Sequence, residues 1–185
     1  MTRTALVTGA SRGLGSAIAS ELANNGANVA INYHSSRDAA EHLSKEIERR
    51  GGHAGIFQAD VRDEAEVARL AADVSRAFGA VDILVINATG PQPFYSIEEQ
   101  TWENYLQQLE FFVKSPLLLL KQVLPHMKRQ RFGRIIQIGS EVFELVSVAK
   151  RLFCHFGNPA NTQISSHCPG GRGWVCKREF FGLAK

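Results

Sequence analysis

The chain is poor in cysteine and has no long apolar run. Its 185 residues include three cysteines, and no two of these have the close spacing of a pair. That scarcity argues against a disulfide-stapled fold and agrees with a reducing compartment. No apolar run approaches the roughly 18 residues of a membrane span, so no membrane partner is expected. The first residues lead directly into a strand pattern without room for a signal peptide, and the sequence therefore predicts a cytoplasmic protein.

Acidic residues become scarce near the C-terminus. Residues 145–185 hold six Lys or Arg and one acid, which leaves fifteen bases and seventeen acids of the totals of 21 and 18 for residues 1–144. All three cysteines also lie in this last segment. The shift predicts a globular domain over 1–145 and an atypical basic tail over 146–185. The tail has no paired Cys/His spacing and no nucleic-acid reader motif, so neither a metal nor a nucleic-acid partner is expected.

The first 140 residues alternate between strand and helix patterns, which predicts an α/β fold with a doubly wound parallel sheet. The predicted strands are Ala5–Thr8, Asn28–Tyr33, Gly55–Asp60, Val81–Asn87 and Arg134–Ser140. The predicted helices are Ser16–Asn25, Arg37–Arg50, Asp63–Phe78 and Ile97–Met127. Pro116 is expected to kink the last of these helices. Beyond Leu145 we expect a short helix over Val146–Phe156 and a loop over Gly157–Gly173, with no sixth or seventh strand.

A glycine-rich loop joins the first strand to the first helix. It has the sequence Thr8-Gly9-Ala10-Ser11-Arg12-Gly13-Leu14-Gly15. Gly9 lets the chain turn out of the strand, Gly13 lets a pyrophosphate approach the backbone, and Gly15 lets the helix pack close to the strand. The free N–H groups at the helix start would face the phosphates. The loop lies between a strand and a helix, which is the context that a dinucleotide site requires.

The Thr-Gly-x-x-x-Gly-x-Gly spacing resembles that of the short-chain dehydrogenase/reductase family, and within it the branch of 3-oxoacyl-(acyl carrier protein) reductases. The resemblance covers about three quarters of the chain. It implies a Rossmann-like fold, whose C-terminal strands are truncated or altered here. It also implies hydride transfer between NAD(P) and a small-molecule carbonyl or alcohol. Members of the family often assemble through their long helices, so a homo-oligomer is compatible with the sequence.

The resemblance assigns cofactor contacts to three turns. Those in the glycine loop are Thr8, Gly9, Ser11, Arg12, Gly13, Leu14 and Gly15. Asp60 and Val61 resemble the Asp-Val pair that binds adenine, although Asp60 can instead, or in addition, cap the next helix. Asn87, Ala88 and Gly90 resemble the Asn-Ala-Gly turn beside the adenosine ribose, with Thr89 as an extra residue.

The end of the second strand favours NADP(H) over NAD(H). An acid there would bind both ribose hydroxyls and repel a 2′-phosphate, but none occurs before Asp38. Arg12 and Arg37, helped by Ser35 and Ser36, can hold a 2′-phosphate through charge-assisted hydrogen bonds. The alternative is that Arg37 is a solvated residue at a helix start.

The catalytic residues match the family only in part. Ser140 ends the fifth strand, where the resemblance implies a hydrogen bond to the substrate carbonyl; the alternative is a cap of the next helix. The Tyr-x-x-x-Lys pair of the family is absent, with Phe153 and Gly157 at roughly those positions, and Phe112 replaces the usual Asn. Loss of a general acid costs about 10²–10⁴ in rate, so we expect an impaired reductase. The alternatives are a non-catalytic dinucleotide-binding or interaction subunit, or a truncated or frameshifted remnant.

Overall fold

The computed structural model describes residues 2–91, 96–140 and 174–177. The strands are β1 Thr4–Val7, β2 Asn28–Tyr33, β3 His53–Gln58, β4 Ile83–Ile86, β5 Arg134–Ser140 and β6 Trp174–Lys177. The helices are α1 Gly13–Asn24, α2 Arg37–Arg49, α3 Glu64–Phe78, α4 Trp102–Leu109 and α5 Ser115–Gln130. A 3-10 turn, Ile97–Glu99, precedes α4, and a π-helical segment, Glu110–Lys114, joins α4 to α5.

The sheet has the strand order β3-β2-β1-β4-β5-β6. The first five strands are parallel, and β6 runs antiparallel to β5. The strand order reverses between β1 and β4, and in such sheets a ligand binds in the crevice outside the carboxyl ends at this point. The predicted α/β fold with a doubly wound parallel sheet is confirmed.

Helices cover both faces of the sheet, because alternate residues of each central strand point to opposite sides. On β1, Ala5 and Val7 pack on the side of α1 and α2, while Leu6 packs on the side of α3 and α5. All three side chains are at most 1% exposed. This two-sided burial explains why β1 and β4 are nearly continuous apolar runs.

The sixth strand corrects the expectation that none would follow β5. Trp174–Lys177 pairs with β5 in a register that places Gln137 opposite Lys177 and Ser140 opposite Trp174. An unpaired β5 edge would present a row of free N–H and C=O groups, which an added strand satisfies. Trp174–Lys177 directly follows the Gly- and Pro-rich stretch 157–173, which favours a loop, so the sequence did not indicate this strand. The predicted helix over 146–156 and loop over 157–173 lie outside the described residues.

The region predicted as one helix with a kink at Pro116 is divided instead by the π-helical segment. Pro116 is the second residue of α5, where its missing N–H is tolerated. It cannot supply the α-type donor for the carbonyl of Phe112 four residues earlier, and the irregular hydrogen bonding falls in this segment. α4 starts at a cap, where Thr101 Oγ1 accepts from the Asn104 N–H at 3.3 Å. Within the described ranges, no helix has the length and apolar character needed to cross a membrane.

Candidate functional site

The glycine loop turns out of β1 at the carboxyl edge of the sheet. Gly9 and Gly13 have φ values of +61° and +60°, in the left-handed region that favours glycine. A Cβ built on Gly9 would lie 2.8 Å from the Ala88 Cα, so the loop packs directly against the turn after β4. A Cβ on Gly13 would meet no atom of the described residues within 4 Å. Gly13 therefore borders open space, as a backbone that receives a ligand should.

At the start of α1, neither a side-chain cap nor an acidic residue balances the positive end of the helix dipole. Arg12 occupies the N-cap position with extended backbone and makes no side-chain cap hydrogen bond. No acidic residue lies in the first turn. The first N–H groups of α1 thus keep both their dipole and their donors available to an anion. Leu14, in the same turn, is 36% exposed.

Thr8 and Asn87 tie the glycine loop to the end of β4. The Asn87 side-chain amide donates to the carbonyls of Thr8 at 2.9 Å and Gly9 at 3.2 Å. The backbone N–H groups of Asn87 and Ala88 both donate to Thr8 Oγ1, at 2.9 and 3.0 Å. The predicted residues of the two turns are therefore in direct contact. The Thr8 hydroxyl and the Asn87 amide make these hydrogen bonds to backbone groups of the two turns.

Asp60 is bound by Arg62 in this structure. The Arg62 side chain donates from Nε to Oδ1 at 3.0 Å and from Nη2 to Oδ2 at 2.7 Å, and its backbone N–H adds a bond of 2.9 Å. These hydrogen bonds hold the pKa of Asp60 below its ordinary value and raise the pKa of Arg62. The neighbouring Val61 side chain is 3% exposed and packs in the core.

The alternative in which Asp60 caps α3 is wrong. Asp63 is the cap, and its Oδ1 accepts from the Glu66 N–H at 2.8 Å. The Glu66 carboxylate in turn accepts from the backbone N–H of Asp60 at 2.7 Å. Asp60 therefore lies in the turn before the helix, and its side chain is 22% exposed.

The π-helical segment reaches the turn after β4 through Phe111. A Cβ on Gly90 would overlap the Phe111 ring, so any larger residue would force this ring to move. The Arg62 guanidinium lies 4.8 Å from the centre of the Phe111 ring and 3.7 Å from Glu110 Oε2. The sequence did not predict this Arg62–Phe111–Gly90 contact, and the kink expected at Pro116 was the one sign of irregularity in this helical region. Phe112 lies in the same segment.

The end of β2 holds the residues predicted for the 2′-phosphate. Arg37 Nε donates to Glu41 Oε1 at 2.7 Å on the exposed surface of α2, and this bond raises the pKa of Arg37. The pair agrees with the alternative in which Arg37 is a solvated helix-start residue. Ser35 and Ser36 immediately precede α2, and Ser36 makes no side-chain cap bond. His34, which sequence reasoning missed, has Nε2 4.0 Å from Asp60 Oδ2.

Known proteins resemble this fold and its loops. A family model described as short chain dehydrogenase matches residues 3–150. The chain belongs to the short-chain dehydrogenase family. The 3-oxoacyl-(acyl-carrier-protein) reductase FabG of Staphylococcus aureus is 40% identical over 144 residues, which are 77% of this chain and 57% of that protein. Elsinochrome reductase 1 of Elsinoe fawcettii is 36% identical over 148 residues, which are 80% and 54% of the two chains. The chain thus spans little more than half the length of these curated relatives.

Solved structures share the architecture. A double mutant of a Serratia marcescens short-chain dehydrogenase/reductase superposes with a TM-score of 0.74 and 33% identity, covering 82% of this chain and 63% of that one. A blue fluorescent protein from a metagenomic library, solved in complex with NADPH, has a TM-score of 0.72 and 32% identity, covering 82% and 61%. The predicted resemblance to this oxidoreductase family is confirmed.

The residues that the sequence analysis compared with the catalytic residues of the family are described only in part. The backbone of Ser140 ends β5, three residues beyond Gln137, which pairs with Ile86 at the end of β4. Ser140 thus lies at the same carboxyl edge as the glycine loop. Phe153 and Gly157 lie outside the described residues.

Proposed function

We propose that this short-chain dehydrogenase binds NADP(H) across the carboxyl edge of its sheet, between the loops that follow β1, β2, β3 and β4. The observation that carries the proposal is the open backbone at Gly13 beside the uncapped start of α1. Both features favour a pyrophosphate, since they supply unshielded N–H donors and a positive dipole end. The NADPH-bound relative with 32% identity supports the same choice.

The adenosine half of the cofactor would lie between the turns after β3 and β4. Both carboxylate oxygens of Asp60 accept hydrogen bonds from Arg62. The adenine amine would therefore share an oxygen of Asp60 with the guanidinium. Without a Cβ, the Gly90 backbone of the turn after β4 lies directly against the Phe111 ring. We therefore propose that Arg62 stays paired with Asp60 and forms part of the wall of the adenosine site.

The preference for a 2′-phosphate would come from charge at the end of β2. The segment from Tyr33 to Arg37 has no carboxylate. Arg12 is exposed, and within the described ranges it forms no salt bridge, so its guanidinium is available. Arg37 shares its guanidinium with Glu41, so Arg12 should contribute more to the affinity for NADP(H).

The reaction that we propose is reduction of a 3-oxoacyl-type carbonyl, with the reverse oxidation of the alcohol. The cofactor would supply the hydride. The Ser140 hydroxyl would donate a hydrogen bond to the carbonyl oxygen and stabilise the charge that develops there. The chain has tyrosines at 33, 95 and 105, and none is followed by Lys four residues later. We therefore propose turnover that is slower by about 10²–10⁴ than with a positioned acid.

A non-catalytic dinucleotide-binding subunit is the second candidate, and the missing Tyr-x-x-x-Lys pair favours it. In that case residues 1–145 would bind the cofactor, and the basic segment 146–185 would serve another purpose. The two candidates differ in turnover and share the cofactor.

Titration with NADPH and NADH, followed by nicotinamide fluorescence, tests the proposal. We expect NADPH to bind at least about tenfold more tightly, a difference of about 1.4 kcal/mol. Arg12→Ala should remove most of this preference, whereas Arg76→Ala, which deletes an exposed charge at the far end of α3, should not change it. NADPH oxidation with a 3-oxoacyl thioester then separates the two candidates. Equal affinity for both nucleotides would contradict the 2′-phosphate site, and binding of neither would contradict the function as a whole.

A further inference from the structure

Asn32 is a buried polar residue in the middle of the cofactor-side scaffold. Its neighbours Val29, Ala30 and Ile31 are apolar, as in other strands that are covered on both faces. Asn32 is 1% exposed, and burial of an amide is costly unless its hydrogen bonds are made. A polar side chain at this position therefore needs partners, and the structure provides them.

The side chain of Asn32 joins the loops that follow β1 and β3. Its Oδ1 accepts from the Gly9 N–H at 3.2 Å. Its Nδ2 donates to the carbonyl of Ala59 at 3.1 Å, with the carbonyl of Phe57 at 3.3 Å. An N–H on one side and two carbonyls on the other fix the orientation of the amide. The backbone carbonyl of Asn32 also accepts from the Ala10 N–H at 2.9 Å.

We infer that Asn32 is a positioning residue for the dinucleotide site, which holds the Gly9 turn and the Ala59–Asp60 turn in one geometry; the inference rests on the proposed function. Gly9 begins the loop that would carry the pyrophosphate, and Asp60 belongs to the proposed adenosine site. Asn32 itself is buried and would not touch the cofactor. It acts by fixing the distance between the turns that bind the two halves of the adenosine diphosphate.

Substitutions at Asn32 separate its two hydrogen-bonding functions. Asn32→Leu removes both, leaving the Gly9 N–H and the Ala59 carbonyl without this partner. Asn32→Asp keeps an acceptor for the Gly9 N–H but places an oxygen opposite the carbonyls of Ala59 and Phe57. The hydrogen bonds to these two carbonyls are then lost unless the carboxyl group is protonated. Asn32→Asp should therefore keep the Gly9 turn in place better than Asn32→Leu does.

A matched control lies at the amino ends of the strands, on the side of the sheet away from the nucleotide loops. Thr4 is 2% exposed, and its Oγ1 donates to the carbonyl of Phe78 at 2.7 Å. Thr4→Val deletes a partly buried hydrogen bond at the amino end of β1. Its effect on unfolding should therefore resemble that of an Asn32 variant, without an effect on the nucleotide loops.

The experiment measures NADPH affinity, thermal unfolding and amide hydrogen exchange of the full chain and its variants. We expect Asn32→Leu to weaken NADPH binding by about tenfold or more at a temperature where it is folded. Exchange of the Gly9 and Ala10 amides should become faster even without nucleotide. Thr4→Val should lower the melting temperature but leave NADPH affinity and these two amides unchanged.

The outcomes distinguish this inference from the proposed function. Unchanged NADPH affinity and unchanged Gly9 exchange in a folded Asn32→Leu variant would overturn the inference. If Asn32→Leu does not fold, Asn32→Asp tests the link to the turn after β3, and wild-type NADPH affinity there together with wild-type exchange of the Ala59 and Asp60 amides would overturn the inference equally. If the wild-type chain binds no NADPH, the proposed function fails, while faster Gly9 exchange in the variants would still support the positioning of the turn.

Discussion

Gly15 lies where the start of α1 meets the end of β4, and its replacement by alanine tests how the dinucleotide loop is packed. A Cβ at this position would lie 2.5 Å from Asn87 Nδ2 and 2.7 Å from the Gly9 carbonyl oxygen. Both distances are well below the roughly 3.5–4.0 Å at which carbon contacts are favourable. Local helix propensity predicts the opposite sign, because alanine stabilises a helix interior by about 1 kcal/mol relative to glycine.

The magnitudes decide between these two effects on Gly15→Ala. The Asn87 amide must move away, and its hydrogen bonds to Thr8 and Gly9 are each worth about 1 kcal/mol. The backbone carbonyl of Gly9 cannot rotate away as a side chain can, and overpacking of this kind costs about 1–3 kcal/mol. After the gain in propensity, the free energy of unfolding should fall by about 2–4 kcal/mol. For a chain of this size the melting temperature should then fall by about 5–15 °C.

The assay for Gly15→Ala combines urea denaturation with NADPH titration. Stability should fall as stated, and NADPH affinity should fall as well, because the moved Asn87 anchors the glycine loop. Gly52→Ala is the control, since its Cβ would lie 2.8 Å from Ile47 Cγ2, before β3 at the opposite edge of the sheet. It should destabilise the fold without weakening NADPH binding. A Gly15→Ala variant as stable as the wild type would refute the packing argument.

Three further predictions concern the same site. Gly13→Ala and Gly26→Ala both place a side chain in open space at positive φ, +60° and +82°. Each variant should therefore lose about 1–2 kcal/mol of unfolding free energy. Only Gly13→Ala should also weaken NADPH binding in a fluorescence titration. The hydrogen bonds from Arg62 lower the pKa of Asp60 in the folded state. The ionised carboxylate therefore stabilises the fold fully above about pH 4, and this contribution is lost as the pH falls through the pKa of Asp60 in the folded protein. Arg62→Gln should therefore destabilise the protein at pH 7, and a gap in urea midpoint that persists unchanged at pH 2 would contradict this cause. Asp63→Ala should cost about 1 kcal/mol in urea denaturation, whereas Asp63→Asn, which keeps a cap acceptor, should cost less.

The sequence predicted the first five strands and the loop that depends on glycine. Asn28–Tyr33 and Arg134–Ser140 have the bounds that were expected. The pattern was weaker for the third strand, which was expected at Gly55–Asp60 and lies at His53–Gln58. β3 pairs with β2 at the outer edge of the sheet and is only partly buried, so its apolar pattern marks its ends poorly.

The candidate site also has features that the sequence predicted and features that only the structure showed. Local sequence alone determined that Gly9 and Gly13 turn the chain at the start of α1, because positive φ and close backbone approach are properties of single residues. Only the tertiary structure decided that Arg62 lies over Phe111 and that Asn32 joins the turns after β1 and β3. Such contacts connect segments far apart in the chain, and their existence depends on the order of strands in the sheet and on which side chains share an edge. Spacing within one segment carries no information about either.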